Sequence, residues 1–440
     1  MLISDRLRTQ SLVLLGFFYL LIIVVFSQDY LAYDEPRYYD GAHCITKGYF
    51  ASDDRPDIAN GPGYPLLLAP VVSILDFEDS RIAVGSAQYD FFIPDASGQP
   101  IQNLKWRLFP LRALNALFLI AGVFVAYKTA RLIVSSQSAM ILATVIALNP
   151  QQLKWLPYLA SENITPLLFG LFAYFYIKGL QSGQFSIKYT LLAGLAFCAL
   201  ALTRSLFGYV ALAALFVTPV FMLLDQNRTQ LTKATLPFAF ALLFCAPYLA
   251  YTQHYTGKFF HWSTVGPELI YWITSPHEKE TGSWMFEQWV YDDPELSANH
   301  GQFLKEVAAT PLKDREAKWS EGVMHNLQHP NIVKALVRNY TANLSRVFTN
   351  APRTHTRGGL SKIFWILNGL IFLAAILLAL IPTVARWRSI RVEVKALLVV
   401  SSIYFGGVIM LPAEPRYLIP ILPALYLWMA HVFELRGKRK

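Results

Sequence analysis

Residues 11–38 read SLVLLGFFYLLIIVVFSQDYLAYDEPRY. The uncharged apolar run Ser11 to Phe26 approaches the roughly 20 residues that a membrane-crossing helix needs. A chain inserted by this run has just reached the far water interface when it presents Tyr33-Asp34-Glu35-Pro36-Arg37-Tyr38. Two adjacent carboxylates at that depth either cap a membrane helix or serve as acid/base groups of a site built against the bilayer surface. Arg6 and Arg8 give the run a basic start, but Ser27-Gln28-Asp29-Tyr30 lacks a small-x-small cleavage site. The segment therefore reads as a retained span rather than a leader.

Composition extends that reading to the whole chain. Of 440 residues, 54% are hydrophobic, 14% aromatic and 15% charged, and mean hydropathy is +0.36, which describes an integral membrane protein. The formal charge of +9 would suggest nucleic acid in a soluble protein. Here the cations follow the positive-inside pattern instead, and no nucleic-acid partner is read. Cys44, Cys198 and Cys245 have no zinc-site spacing and build no disulfide framework.

About ten apolar segments follow: 10–27, 109–127, 137–150, 158–178, 189–203, 206–224, 235–252, 362–382, 396–412 and 416–433. With the N-terminus inside, the inner turns carry Lys128 and Arg131, Lys178 and Lys188, Arg228 and Lys233, Arg386 to Lys395, and Arg436 to Lys440. Every inner turn is basic. The pattern predicts an all-α polytopic membrane protein with a bundle over 1–253, an extracytoplasmic loop domain over 254–361 and terminal helices over 362–440.

Two outer segments are long. Residues 28–109 are rich in Asp, Gly and Pro and predict turns and short helices, with Pro65 to Leu75 and Ile82 to Val84 too short to span and placed at the surface. The second holds Trp262, Trp272, Trp284, Trp289 and Trp319 and seven of the nine histidines. These tryptophans suit either sugar or polyprenyl stacking or an interfacial aromatic belt. Asn331 to Phe348 predicts an interfacial helix with Val333, Leu336, Val337, Tyr340, Leu344 and Val347 on one side. No internal repeat of the transporter kind is present.

This topology brings several charges to the outer ends of different spans: Asp34 and Glu35, Glu162 in Ser161-Glu162-Asn163, Arg204 in Thr203-Arg204-Ser205, and Glu414 and Arg416 in Glu414-Pro415-Arg416-Tyr417. Charges at membrane depth are costly and usually paired or functional. Simpler roles stay open: Glu162 complementing a helix N-terminus, Arg204 solvated in a short turn, Glu414 and Arg416 pairing with each other.

The Tyr33 to Tyr38 cluster, then Ala42, Ile45, Gly48 and Gly61-Pro62-Gly63-Tyr64-Pro65-Leu66-Leu67, resembles the first outer loop of the glycosyltransferase-C superfamily, in the protein mannosyltransferase and aminoarabinose transferase branch. Arg112 to Arg131, Ser161-Glu162, Gly194 to Arg204 and Glu414-Pro415-Arg416-Tyr417 before Pro420 and Pro423 continue the likeness in the same order. The resemblance implies transfer of a sugar, with inversion, from a polyprenyl-phosphate carrier to a lipid, glycan or protein hydroxyl. Asp34 would be the general base and Glu35 would orient the acceptor. Inversion needs one carboxylate behind the acceptor oxygen, while the leaving phosphate needs cations rather than an acid. Arg204 and Arg416 suit that phosphate because guanidinium binds it in bidentate fashion; Arg37 and Lys154 are further candidates, and Glu162, Tyr64 and Glu414 are candidates for acceptor or donor contact. Aminoarabinose transferases carry a lysine just before the Pro-Pro-Leu of this loop; Asn60-Gly61-Pro62 stands there instead.

No cofactor is implied, and a divalent metal stays open. Glu321, His325 and His329 have i, i+4, i+8 spacing on a polar segment ended by Pro330, which reads better as a solvated helix end than as a metal face. The expected location is the cell (inner) membrane, with the site on the periplasmic or extracytoplasmic side. The rival readings are a transporter or flippase of lipid-linked saccharides, or a glycan ligase or polymerase.

Overall fold

The structure, a computed structural model, describes residues 5–50, 58–75, 83–84, 91–93, 101–349 and 360–437. The chain begins with α1 (Asp5–Phe26), then α2 (Glu35–Thr46) and α3 (Gly63–Leu75) in the first outer segment. The bundle continues with α4 (Leu104–Arg107), α5 (Phe109–Ala130), α6 (Ser136–Ala147), α7 (Pro150–Trp155), α8 (Thr165–Gln181), α9 (Ile187–Thr203), α10 (Leu206–Leu224) and α11 (Leu231–Thr256). The second outer segment holds α12 (Gly266–Ile273), α13 (Glu287–Asp292), α14 (Pro294–Leu296), α15 (Gln302–Ala309), α16 (Arg315–Leu327) and α17 (Ile332–Thr349). Then come α18 (Leu360–Ala385), α19 (Val392–Ile409) and α20 (Leu422–Gly437).

Among the described residues, α5, α10, α11, α18, α19 and the 415–436 stretch ending in α20 are long and apolar enough to cross a membrane, while 10–26 and α9 are shorter apolar helices. Three expected spans are not single helices. The 137–150 segment is α6, whose twelve residues rise only about 18 Å, and Pro150 then starts α7, N-capped by Asn149 through Gln151 N and Gln152 N. The 158–178 segment becomes a helix only at Thr165, after a 3₁₀ turn at Ser161–Asn163. The 416–433 segment opens with a 3₁₀ run, Pro415–Ile421. Irregular backbone at these three places lifts Glu162 and Arg416 off regular helices and turns them into one cleft.

The core is an aromatic stack: Phe197 packs on Phe172 and Phe238 with ring centroids at 4.8 and 5.2 Å, and Phe207 stacks on Tyr404 at 4.3 Å. Large apolar side chains point outward instead on α1 (Leu14, Phe17), α10 (Phe216, Leu224) and α18 (Ile371, Val384). Such a surface is unfavourable in water and suited to lipid. Polar contacts close the end of the bundle opposite the candidate site. Lys395 pairs with Asp225 at 2.9 Å, Trp387 donates to the same carboxylate at 3.0 Å, and Lys233 reaches the Ser182 carbonyl at 2.5 Å.

The described parts of residues 28–109 and 254–361 hold helices with packed faces. Residues 65–75, expected at the surface, belong to α3, which buries Tyr64, Pro65, Leu68, Ala69 and Val72. The reason lies just before it: a Cβ on Gly61 would stand 2.0 Å from the Leu202 carbonyl oxygen, and one on Gly63 2.5 Å from Thr203 Oγ1. Only glycine lets this loop lie directly on the end of α9. Ala83-Val84 pairs antiparallel with Phe91-Phe92; Ile82 lies outside the described residues.

The second segment has its own core of Tyr271, Trp272, Met285, Val290, Leu296 and Leu304. Trp262 and Trp272 are fully buried, so these two are packing residues rather than a stacking platform or belt. On α17 the apolar side chains divide: Val333, Val337 and Leu344 are exposed, whereas Ala335, Asn339, Asn343 and Val347 form the buried stripe. The expected single apolar side is therefore two faces, and the inward one is half amide.

Candidate active site

Tyr33 adopts φ +57, an uncommon value for an aromatic residue, and its ring packs edge-on against Trp155 and Tyr158 at 5.2 and 5.3 Å. This turn sets the N-terminus of α2. Asp34 occupies the N-cap position, yet its side chain makes no capping hydrogen bond. It reaches across 382 positions of sequence to Arg416, accepting from Nη1 at 2.8 Å.

Glu35 goes the other way. Its side chain is 1% exposed against Arg112 at 0%, 3.2 Å apart, and it also accepts from Ala32 N and Leu159 N, each at 2.8 Å. Arg112 spends its remaining donors on the Gln28 and Tyr30 carbonyls at 2.8 and 3.2 Å. All donors around Glu35 are thus used in tying α2, α5 and the 28–32 and 159 strands of backbone together. Glu35, expected to orient the acceptor, is enclosed by these groups. Tyr64, expected to contact acceptor or donor, is fully buried, donates to Asn115 Oδ1 at 2.8 Å and packs edge-on against Tyr38 at 5.0 Å.

The other charges converge. Glu162 lies on the floor, with Arg204 Nη1 at 3.3 Å and Arg416 Nε at 3.7 Å. Glu414 stands 2.9 Å from Arg416 Nε. The Arg416 guanidinium sits 4.9 Å from the Trp155 ring centroid and 5.3 Å from that of Tyr417, whose ring also has Arg204 at 4.9 Å. Two guanidinia therefore share one aromatic ring and one buried carboxylate. Asp34, 31% exposed, is on the rim, and Arg416, 15% exposed, is just beneath. Arg204 Nη1 and Arg416 Nε are buried N–H groups that face Glu162 and Glu414 as ion pairs, without well-aligned hydrogen bonds.

Electrostatics separates the members. Burial pushes the Asp34 carboxyl up, but Arg416, Arg37 and Arg204 outweigh it and hold it below the usual carboxylate range. Arg37 is exposed and contributes charge at the rim. Lys154 is exposed, 5.5 Å from the Trp155 centroid.

Sequence reading missed Arg112, Trp155 and Tyr417. Arg112 had a signal, an arginine two residues inside an otherwise apolar segment; the aromatic pair had none beyond position next to a charge. Glu321, His325 and His329 are exposed on the end of α16 and beyond it. The cluster with metal-ligand geometry among the described residues is instead His277, Glu280 and His300.

A membrane bundle with arginines and carboxylates gathered at one end is the class of protein this chain defines, and known structures resemble its fold. The family model for dolichyl-phosphate-mannose-protein mannosyltransferase matches residues 104–251. The archaeal oligosaccharyltransferase AglB of Archaeoglobus fulgidus, in complex with an inhibitory peptide and a dolichol-phosphate, superposes with TM-score 0.52 at 14% identity, covering 98% of this chain and 51% of that one. Its apo form gives 0.52 at 13%, covering 99% and 52%. ArnT of Cupriavidus metallidurans, bound to undecaprenyl phosphate, gives 0.43 at 12%, covering 96% and 77%. No curated protein matches in sequence. The chain spans about half the length of the oligosaccharyltransferase and shares its fold.

Proposed function

We propose that this chain is an inverting glycosyltransferase that moves a sugar from a polyprenyl-phosphate carrier to a hydroxyl of a lipid, glycan or protein, on the extracytoplasmic side of the inner membrane. The observation that carries the reading is Asp34 held 2.8 Å from Arg416, above a Glu162 that also faces Arg204. Arg416 and Arg204 bind the donor phosphate in exchange for the carboxylates they now face, and bidentate geometry suits them to it. Once the phosphate takes over Arg416, Asp34 is released toward the acceptor. It accepts the hydroxyl proton as the acceptor oxygen bonds to the anomeric carbon. The carbon–oxygen bond to phosphate breaks, and the electron pair leaves with a phosphate oxygen stabilised by the guanidinia.

Two further observations support this reading. The matching family model is named for dolichyl-phosphate-mannose transfer, and the similar oligosaccharyltransferase was solved with dolichol-phosphate. The cluster Arg386, Arg388, Arg391 and Lys395 lies between α18 and the start of α19, away from the site, which favours an outward-facing cleft. In the cleft itself each of Asp34, Glu162 and Glu414 faces a guanidinium, so its negative charge is matched by arginine rather than left for a cation. The test is transfer by the purified protein in detergent, supplied with a polyprenyl-phosphate sugar or with the matching nucleotide sugar. Transfer from the first alone is expected; efficient transfer from the nucleotide sugar without carrier would refute the assignment.

A further inference from the structure

Outside the cleft, the second outer segment buries a set of groups for which sugar transfer has no use. Glu280 is 2% exposed and His300 1%, with Oε2 and Nε2 2.8 Å apart. The ligand atoms of His277, Glu280 and His300 all lie within 4.8 Å of one another.

The surroundings are built as the second shell of a metal site is built. Tyr271 Oη faces His300 Nδ1 at 2.6 Å, so an Nδ1–H donated to that oxygen leaves Nε2 with its lone pair toward Glu280 and His277. The far carboxylate oxygen of Glu280 accepts from Asn299 Nδ2 at 3.0 Å, and the Ser275 hydroxyl donates to the near one. The backbone is irregular on both sides: His300 lies in a π-helical turn, Ser297–Gly301, a form found mostly at functional sites. Glu280 precedes Thr281 and Gly282, at φ +51 and +66. The strained Thr281 backbone beside Glu280 and the π-helical turn that carries His300 are the irregularities a shared ligand would account for.

We propose that His277, Glu280 and His300 form a divalent-cation site of the zinc class, with two imidazoles, one carboxylate and an open fourth position on the side of half-buried His277. Two nitrogens and one oxygen suit zinc better than magnesium or calcium, which prefer oxygen throughout. The present spread needs only a rotamer-scale movement of His277, the least buried of the three.

The cation would pin the 275–283 turn to the 297–301 turn. Thr281, next to Glu280, accepts from Arg346 of α17 through Oγ1 and its carbonyl at 3.1 and 3.0 Å. Asn343, one turn earlier on α17, donates to the Leu411 carbonyl at 2.8 Å and accepts from Ala413 N at 3.4 Å. Those residues lead directly into Glu414 and Arg416. The site is therefore placed to brace the loop domain against the backbone that carries Arg416, and its role is structural.

The proposal does not rest on transferase activity, and its test reads binding and unfolding. The full chain, purified in detergent and stripped with chelator, is titrated with zinc chloride or magnesium chloride, desalted, and measured for retained metal and thermal unfolding. One zinc per chain is expected, with an unfolding transition that rises with zinc concentration and no response to magnesium. His277→Ala, which leaves the buried Glu280–His300 pair in place, should unfold like wild type without metal and bind zinc at least about tenfold more weakly. A His325→Ala/His329→Ala variant, which removes two exposed imidazoles, should retain zinc as wild type does. Absence of retained zinc in the wild type, or undiminished retention in His277→Ala, would overturn the site and leave an ordinary buried ion pair.

Discussion

Asp34 and Glu35 are neighbours in sequence with opposite surroundings. Glu35 is enclosed by Arg112 and two backbone N–H groups; Asp34 stands at a rim, 31% exposed, paired with an arginine that Glu162 and Glu414 also face. Both pairs join a carboxylate of the 28–109 segment to an arginine of a later element. The difference is access. A closed pair with every donor used holds backbone together, and an accessible pair whose arginine is shared among carboxylates can exchange one anion for another. Pairing alone therefore does not distinguish scaffold from chemistry; access to the pair does.

The comparison breaks most visibly at Glu35. Glu35→Gln leaves Arg112 charged, buried and uncompensated, a change that typically costs about 3–5 kcal/mol. The expected result is a large drop in the thermal unfolding temperature, with turnover per folded molecule close to wild type. A stable Glu35→Gln protein with poor acceptor binding would instead return Glu35 to the site.

Next in size is Arg416→Ala. Losing hydrogen bonds to a charged group costs about 1.5–3 kcal/mol, so the donor KM should rise roughly 10- to 100-fold. Arg416→Lys should recover only part, because an ammonium cannot reproduce the bidentate fork or the stacking between Trp155 and Tyr417. Unchanged donor dependence would remove Arg416 from phosphate binding. Tyr64→Phe, smaller again, should lower stability by about 1 kcal/mol through the lost bond to Asn115 and leave kinetics alone; a tenfold fall in turnover at retained stability would restore Tyr64 as a contact residue.

The smallest effect is in pH. Because the folded-state value for Asp34 is depressed, the stability its pairing supplies is fully present above the unfolded value of about 3.9 and is lost as pH falls through the lower folded value. Arg416→Ala removes the main counterweight to burial, so the acid limb of both stability and transfer should move to higher pH. An unmoved limb would mean that Arg416 does not set the ionisation of Asp34.

Much of this was legible in the chain. Uninterrupted apolar runs locate the helices, and Asp34, Glu162, Arg204 and Arg416 stand out as charges at their outer ends, where the structure brings them together. What could not be read is which of two adjacent carboxylates faces the cleft. Successive helical residues point about 100° apart, so the answer depends on Arg112, 77 positions away. The burial of Tyr64 could not be read for the same reason, its partner Asn115 lying on another helix. The loop domain was least legible: its helices are short, its core residues follow no long period, and His300 meets Glu280 from 20 positions away.

The claim that Asp34 does chemistry while Glu35 holds the frame is tested most directly by Asp34→Asn, purified in detergent and assayed with the polyprenyl-phosphate donor. The amide keeps the shape of the side chain and removes the base. Transfer should fall about 100- to 10,000-fold while the protein still inserts and unfolds as one cooperative species. Wild-type turnover from folded Asp34→Asn would contradict the account and reduce the Asp34–Arg416 pair to a structural contact.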